Sequence, residues 1–159
     1  MREDVLEEIL LLQNQICFPL YAASRLVVQA YRPLLADLGL TYPQYLVMLV
    51  LWEQDGVSVG HLGERLYLDS GTLTPLLKRL EKQGLIERRR SPQDDRTVEN
   101  FLTEAGRALQ QSAVGIPTEL LCSAQIDETN LGQLKEDLRD LLDKLVQYHG
   151  IGGSEPKAK

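Results

Sequence analysis

Cysteine is scarce: Cys17 and Cys122 are the only two in 159 residues, too few and too far apart for a disulfide framework. The two histidines, His61 and His149, are isolated. A lone cysteine pair with two scattered histidines is a poor zinc site, so no metal and no other cofactor is expected. No apolar run is long enough to span a bilayer, and no membrane partner is expected. The opening Met1-Arg2-Glu3-Asp4 is charged and unlike a secretory leader, which makes the cytoplasm the expected setting. There a distant cysteine pair is either inert or a transient redox device. A Gly-rich phosphate loop, an HExxH helix, a nucleophile elbow and a carboxylate constellation are also missing, so an enzyme is not expected.

What is present is an ordinary globular composition, 43% hydrophobic and 25% charged, with enough chain for one domain and a real core. The net charge of -6 argues weakly against nucleic acid, but its distribution matters more. From Arg65 to Arg96 there are eight Lys/Arg against five Asp/Glu, whereas acid gathers at Glu3, Asp4, Glu7 and Glu8 and from Glu119 to Asp143. A basic middle between acidic ends suits a DNA-facing surface, and a chance excess of three charges would look the same.

Periodicity predicts helices over 5–15 and 20–35, with Pro19 either starting the second or kinking a longer one, and Pro33 and Gly39 marking its end. Thr41-Tyr42-Pro43-Gln44 is a helix start with a capping-box pattern, followed by Tyr45, Met48, Leu49 and Trp52 at helical spacing. Gly56 ends that helix and Ser58 caps a short one bearing Val59, Leu62 and Leu66. Asp69, Ser70 or Thr72 caps the next, whose apolar side is Leu73, Leu76, Leu77 and Leu80, with Pro75 expected near its beginning. After Gly84 two strands, 85–90 and 97–102, flank the polar turn 91–96. Thr103 caps a helix that Gly115 and Pro117 bend or break ahead of a helical stretch 120–126. Asp127 is the expected cap of a last helix carrying a stripe of Leu131, Leu134, Leu138, Leu141, Leu142 and Leu145. That stripe seeks either a partner helix or its own chain. The tail 150–159 is expected to be disordered.

The fold class expected is therefore mainly α with a small β-hairpin wing, a winged helix-turn-helix in a single structural domain. The second short helix would enter the major groove of double-stranded DNA. Ser70, Thr72 and Thr74 are small donors and acceptors at its start for base edges, and Lys78 and Arg79 lie farther along for phosphates. The hairpin offers Arg88, Arg89 and Arg90, with Arg96 at the tip for a minor groove and Asp94 near enough to hold its guanidinium. Taken singly, each is also what a helix cap or a surface ion pair would look like.

The segment Tyr67 to Leu85 (YLDSGTLTPLLKRLEKQGL) and the hairpin Arg88 to Arg96 (RRRSPQDDR) resemble the MarR family of bacterial regulators. Cys17 to Arg25 (CFPLYAASR) and Leu40 to Leu46 (LTYPQYL) resemble its organic hydroperoxide resistance (OhrR) branch. The likeness runs over roughly residues 10–148. It implies a homodimeric repressor of operator DNA, with helices in 1–40 and 103–149 forming the dimer and 41–102 reading DNA. It implies that Cys17 is the peroxidatic thiol, supported by Tyr31 and Tyr42, and that Cys122 of the other subunit is the resolving thiol, as in two-cysteine members. The signal would be an organic or lipid hydroperoxide, with Phe18, Leu20 or Tyr21 lining an apolar pocket near Cys17.

Independently, a helix starting near Pro19 would favour a Cys17 thiolate through its N-terminal dipole. Cys17 and Tyr31 are 14 residues apart, roughly 21 Å on one continuous helix. A bond between them needs a sharp break or a second subunit. Ordinary packing for the tyrosines and a buried apolar thiol for Cys122 are the plainer alternatives. Rival functions are a MarR-type repressor released by a small phenolic ligand and a thiol peroxidase.

Overall fold

A computed structural model describes residues 8–92, 94, 96–125 and 128–150. Helix α1 spans Cys17–Ala36 and α2 Tyr42–Glu53. Strand β1, Val57–Ser58, leads into α3, Val59–Leu66, and α4, Ser70–Lys82. Strands β2, Ile86–Arg90, and β3, Val98–Leu102, form the hairpin. Helices α5, Glu104–Ala113, α6, Ile116–Ser123, and α7, Leu131–His149, complete the chain. This is the expected winged helix-turn-helix order.

The core lies in the middle of the chain. Leu35, Val47, Met48, Leu51, Leu62, Leu73, Leu77, Leu80 and Ile86 are fully or almost fully enclosed. Leu73, Leu77 and Leu80 hold one face of α4 inward, which turns its polar face out. The sheet is antiparallel throughout, in the order β1-β3-β2. Its β1 was not expected: two residues are too short to show a period, and they pair Val57 with Asn100 and Ser58 with Glu99.

Four expectations change. Of the helix expected over 5–15, Glu8 and Ile9 are helical among the described residues, and the chain then passes into a 3-10 turn at Leu12–Asn14. The side-chain amides of Asn14 and Gln15 donate to the carbonyls of Glu8 and Ile9 at 2.6 and 2.5 Å, and side-chain bonds of this kind compete with helix continuation. The second helix starts at Cys17, so Pro19 falls in its first turn, where its missing N–H costs no helical bond. Pro75 sits one turn deeper than expected. Asp69, not Thr72, is the cap, and the Thr74 hydroxyl donates to the Ser70 carbonyl at 2.6 Å just before the proline. Gly115 does separate two helices, but Pro117 lies in the first turn of the second one, which spans Ile116–Ser123 where a stretch over 120–126 was expected. The proposed cap Asp127 and the tail beyond Gly150 lie outside the described residues; Asn130 is the N-cap of α7, preceded by a 3-10 turn at Glu128–Asn130.

Two apolar faces stay open. Along α7, Leu134, Leu138, Leu142 and Leu145 are 40–51% exposed, and the helix has no buried residue. On α1, Phe18, Leu20, Tyr21 and Leu26 are exposed as well.

Candidate nucleic-acid interface and thiol site

The reading helix is set by its first turn. Asp69 accepts from the Thr72 N–H and the Thr72 hydroxyl, both at 2.9 Å. The backbone bond first, then the hydroxyl, holds the exposed Asp69 carboxyl below the ordinary range. Thr72 and Thr74 thus spend their hydroxyl hydrogens locally and present oxygens outward as acceptors. Ser70, Thr72, Lys78 and Arg79 are exposed and Thr74 half-buried, on the sides of α4 away from Leu73, Leu77 and Leu80.

The three hairpin arginines do not act alike. The register pairs Ile86 with Leu102, Arg88 with Asn100 and Arg90 with Val98 on one face. Arg88 leans on α4: its backbone N–H donates to Glu81 at 3.3 Å and its guanidinium lies 3.8 Å from the same carboxylate, with the side chain 20% exposed. Arg89, on the opposite face, pairs with Glu87 at 2.5 Å and lies over the Phe101 ring at 5.0 Å. That contact lowers the Glu87 carboxyl and raises the Arg89 guanidinium, the hydrogen bond first and then the charge. Arg90 is exposed. At the tip, Asp94 accepts from the Arg96 backbone N–H and the Thr97 hydroxyl, both at 3.0 Å. Its carboxylate therefore shapes the turn, where the sequence suggested a grip on the Arg96 guanidinium. Arg96 is exposed.

Both thiols are free and exposed. Cys17 is the first residue of α1, and Cys122 lies next to the last residue of α6, a helix that packs against α1. The exposure of Cys122 removes the buried-thiol alternative within one chain. Tyr31 and Tyr42 come together, their ring centroids 4.8 Å apart, and Tyr45 and Trp52 extend the cluster. Burial pushes all three phenols up, with Tyr42 and Tyr45 adding to the effect on Tyr31. Cys17 is not part of that cluster within the chain, because Tyr31 sits on the same unbroken helix fourteen positions on. The expected pocket near Cys17 is an open groove of about 710 Å³ lined by α1 alone, including Phe18, Tyr21, Arg25 and Val28 but not Leu20.

The expected capping box forms, Gln44 accepting from the Thr41 N–H and hydroxyl. Several longer ties escape sequence reading. Gln44, 4% exposed, also donates to Gln83 at 3.2 Å, joining the start of α2 to the end of α4. Trp52 donates to the Gly106 carbonyl at 2.9 Å. Asp55 gathers Gly56, Leu102 and Arg107. Only the Asp55-Gly56 dipeptide carries a local signal, that of a turn. Among the described residues, no group of His, Cys, Asp and Glu could hold a metal, and no helix is long and apolar enough to cross a membrane.

Residues 40–98 match the MarR family. The chain is 52% identical over 136 residues to the organic hydroperoxide resistance transcriptional regulator of Bacillus subtilis, covering 86% of this chain and 92% of that protein. The reduced form of AbfR bound to DNA superposes with a TM-score of 0.75 at 35% identity, over 92% of this chain and 99% of its own. The disulfide form of AbfR, a protein of Staphylococcus epidermidis, gives 0.60 at 38% identity, over 88% and 98%. The relatives are transcriptional regulators, not enzymes, and share this winged architecture. The chain belongs to the MarR family, as a transcriptional regulator close to the organic hydroperoxide resistance branch.

Proposed function

We propose that the protein is a homodimeric repressor that binds operator DNA when its thiols are reduced and leaves it when an organic hydroperoxide oxidises Cys17. The observation that carries this is that both thiols, Cys17 at the start of α1 and Cys122 near the end of α6, are free and exposed. The Cys17 thiolate attacks the peroxide, giving a sulfenic acid and releasing the alcohol. Cys122 of the partner subunit then displaces water to form the disulfide. The peroxide is thereby reduced by two electrons.

The open faces of α1 and α7 support a dimer, because stripes of this kind are stable in water only when covered. A second subunit also gives the groove on α1 its missing wall and offers a Tyr31 that the same chain's Cys17 cannot reach. Residues 41–102 are the DNA-reading part in this account, and the helices in 1–40 and 103–149 the dimerisation part. Ser70, Thr72 and Thr74 face bases, while Lys78, Arg79, Arg90 and Arg96 meet phosphate or the minor groove. Arg88, Arg89 and Asp94 serve mainly by holding the wing. Forming a disulfide requires the two Cα atoms to come within about 7 Å, and the helix movement this demands turns the reading helices away from DNA.

The test uses a duplex that the wild-type protein selects from a random-sequence pool. Cumene hydroperoxide should release the wild type, a thiol reductant should restore binding, and Cys17→Ser should stay bound. A Cys17→Ser protein released as readily as wild type sinks the proposal. One cavity favours a second reading. About 240 Å³ lies between α2 and the α5–α6 region, lined by Tyr45, Leu49, Trp52 and Pro117, and suits a small aromatic effector. Release by such a compound in Cys17→Ser would carry that alternative.

A further inference from the structure

We propose that Asp55 is the positioning residue for the wing, fixing the angle at which the hairpin meets DNA. This rests on the reading of the hairpin as a DNA-contacting wing. Strand β1 is only two residues long and stops pairing with β3 at Asn100. At the next step the Gly56 N–H donates to the Asn100 carbonyl at 3.1 Å. Beyond that point, among the described residues, the ladder has no backbone partner on this edge, and Asp55 supplies one from its side chain. Its Oδ1 accepts from the Leu102 N–H at 2.7 Å and from the Gly56 N–H at 3.0 Å. Its Oδ2 pairs with the Arg107 guanidinium, which also reaches the Leu102 carbonyl at 3.5 Å. Asp55 and Arg107 together thus imitate the missing residue of a neighbouring strand.

The carboxylate side chain is 27% exposed, so these charge-assisted bonds operate partly out of water. They tie the root of the wing to the loop after α2 and to α5 at once. Around them, Phe101 packs against Gly56, where a Cβ would stand 2.6 Å from the ring, and Arg89 lies over the same ring. The other strand is secured separately, by the Thr103 N–H to Leu85 and the Thr103 hydroxyl to Gly84.

The lever is long. Arg96 lies six residues from Leu102, about 20 Å along an extended strand, so a tilt of about 10° at the root moves the tip by about 3.5 Å. That is a full contact distance. Asp55 therefore acts on DNA through the wing, without touching it.

Charge makes the test discriminating. Removing an acid from a DNA-binding protein tightens binding on electrostatic grounds alone; removing the wing's anchor loosens it. Operator affinity is measured on the reduced full-length protein with a duplex selected by wild type, beside amide exchange of the hairpin. Asp55→Asn should bind about tenfold more weakly, with faster exchange at Leu102 and unchanged exchange along α4. Binding as tight as wild type, or tighter, overturns the proposal. Arg107→Gln should also speed exchange at Leu102 and Arg107→Lys should restore it, which keeps the anchor falsifiable if Asp55→Asn fails to fold. A wild type that selects no duplex defeats the DNA-binding reading itself. Exchange then decides the anchor alone: unchanged exchange at Leu102 in the variants overturns it.

Discussion

The rings of Tyr31 and Tyr42 meet at 4.8 Å, although one lies near the end of α1 and the other begins α2. Their contact stands at one end of a helix whose other end carries Cys17. Within one subunit the aromatic cluster and the thiol are separate. A dimer that sets α1 helices side by side in opposite directions brings the thiol of one subunit to the phenols of the other.

This arrangement predicts a chemical role for the Tyr42 hydroxyl beyond packing. Tyr42→Phe keeps the ring contact and removes one donor to the thiolate. Stopped-flow oxidation of Cys17 by cumene hydroperoxide should slow by about tenfold, the weight of one hydrogen bond to a charged group. An unchanged rate would assign Tyr42 to packing alone.

The same cluster predicts an alkaline limit. Burial raises the phenols of Tyr31, Tyr42 and Tyr45 above their unfolded values. The folded state therefore holds these protons where the unfolded chain has lost them. Their stabilising contribution is full below the ordinary tyrosine pKa and fades as pH rises through the raised values. Thermal melts should fall through that window, and replacing Tyr31 with Phe should flatten the fall. A melting temperature equally pH-dependent in Tyr31→Phe would contradict this.

The arginine run predicts a division of labour. Lys78→Ala should weaken DNA binding and lower the salt slope by about one, with little change in melting temperature. Arg88→Ala should instead lower the melting temperature, because Arg88 leans on Glu81 and is mostly covered. Matching melting temperatures for the two variants would remove the distinction.

These contrasts show what a linear sequence reveals. The reading helix was legible because its cap, Asp69, and its core face, Leu73, Leu77 and Leu80, all lie within twelve residues. The hairpin was legible because a change of period and a polar turn are local. Its arginines looked equivalent because a run of three does not say which faces Glu81 and which faces Phe101; the register with β3 decides that. Gln44 and Gln83 are 39 residues apart, and Asp55 and Leu102 are 47 apart, so neither tie leaves a periodic trace. The end of the first helix was misplaced because the apolar spacing continues to residue 15, while Asn14 and Gln15 turn their amides back on the carbonyls of Glu8 and Ile9, the last helical residues there. The thiol roles came from resemblance, since exposure and partnership of a cysteine depend on the folded surface.

The central claim is an intersubunit disulfide between Cys17 and Cys122. The direct measurement is a non-reducing denaturing gel of the purified protein after one equivalent of cumene hydroperoxide, with Cys17→Ser and Cys122→Ser alongside. The account predicts a thiol-reversible dimer band in the wild type and in neither variant. A wild type that stays monomeric on the gel, with Cys17 unmodified by mass, would contradict it.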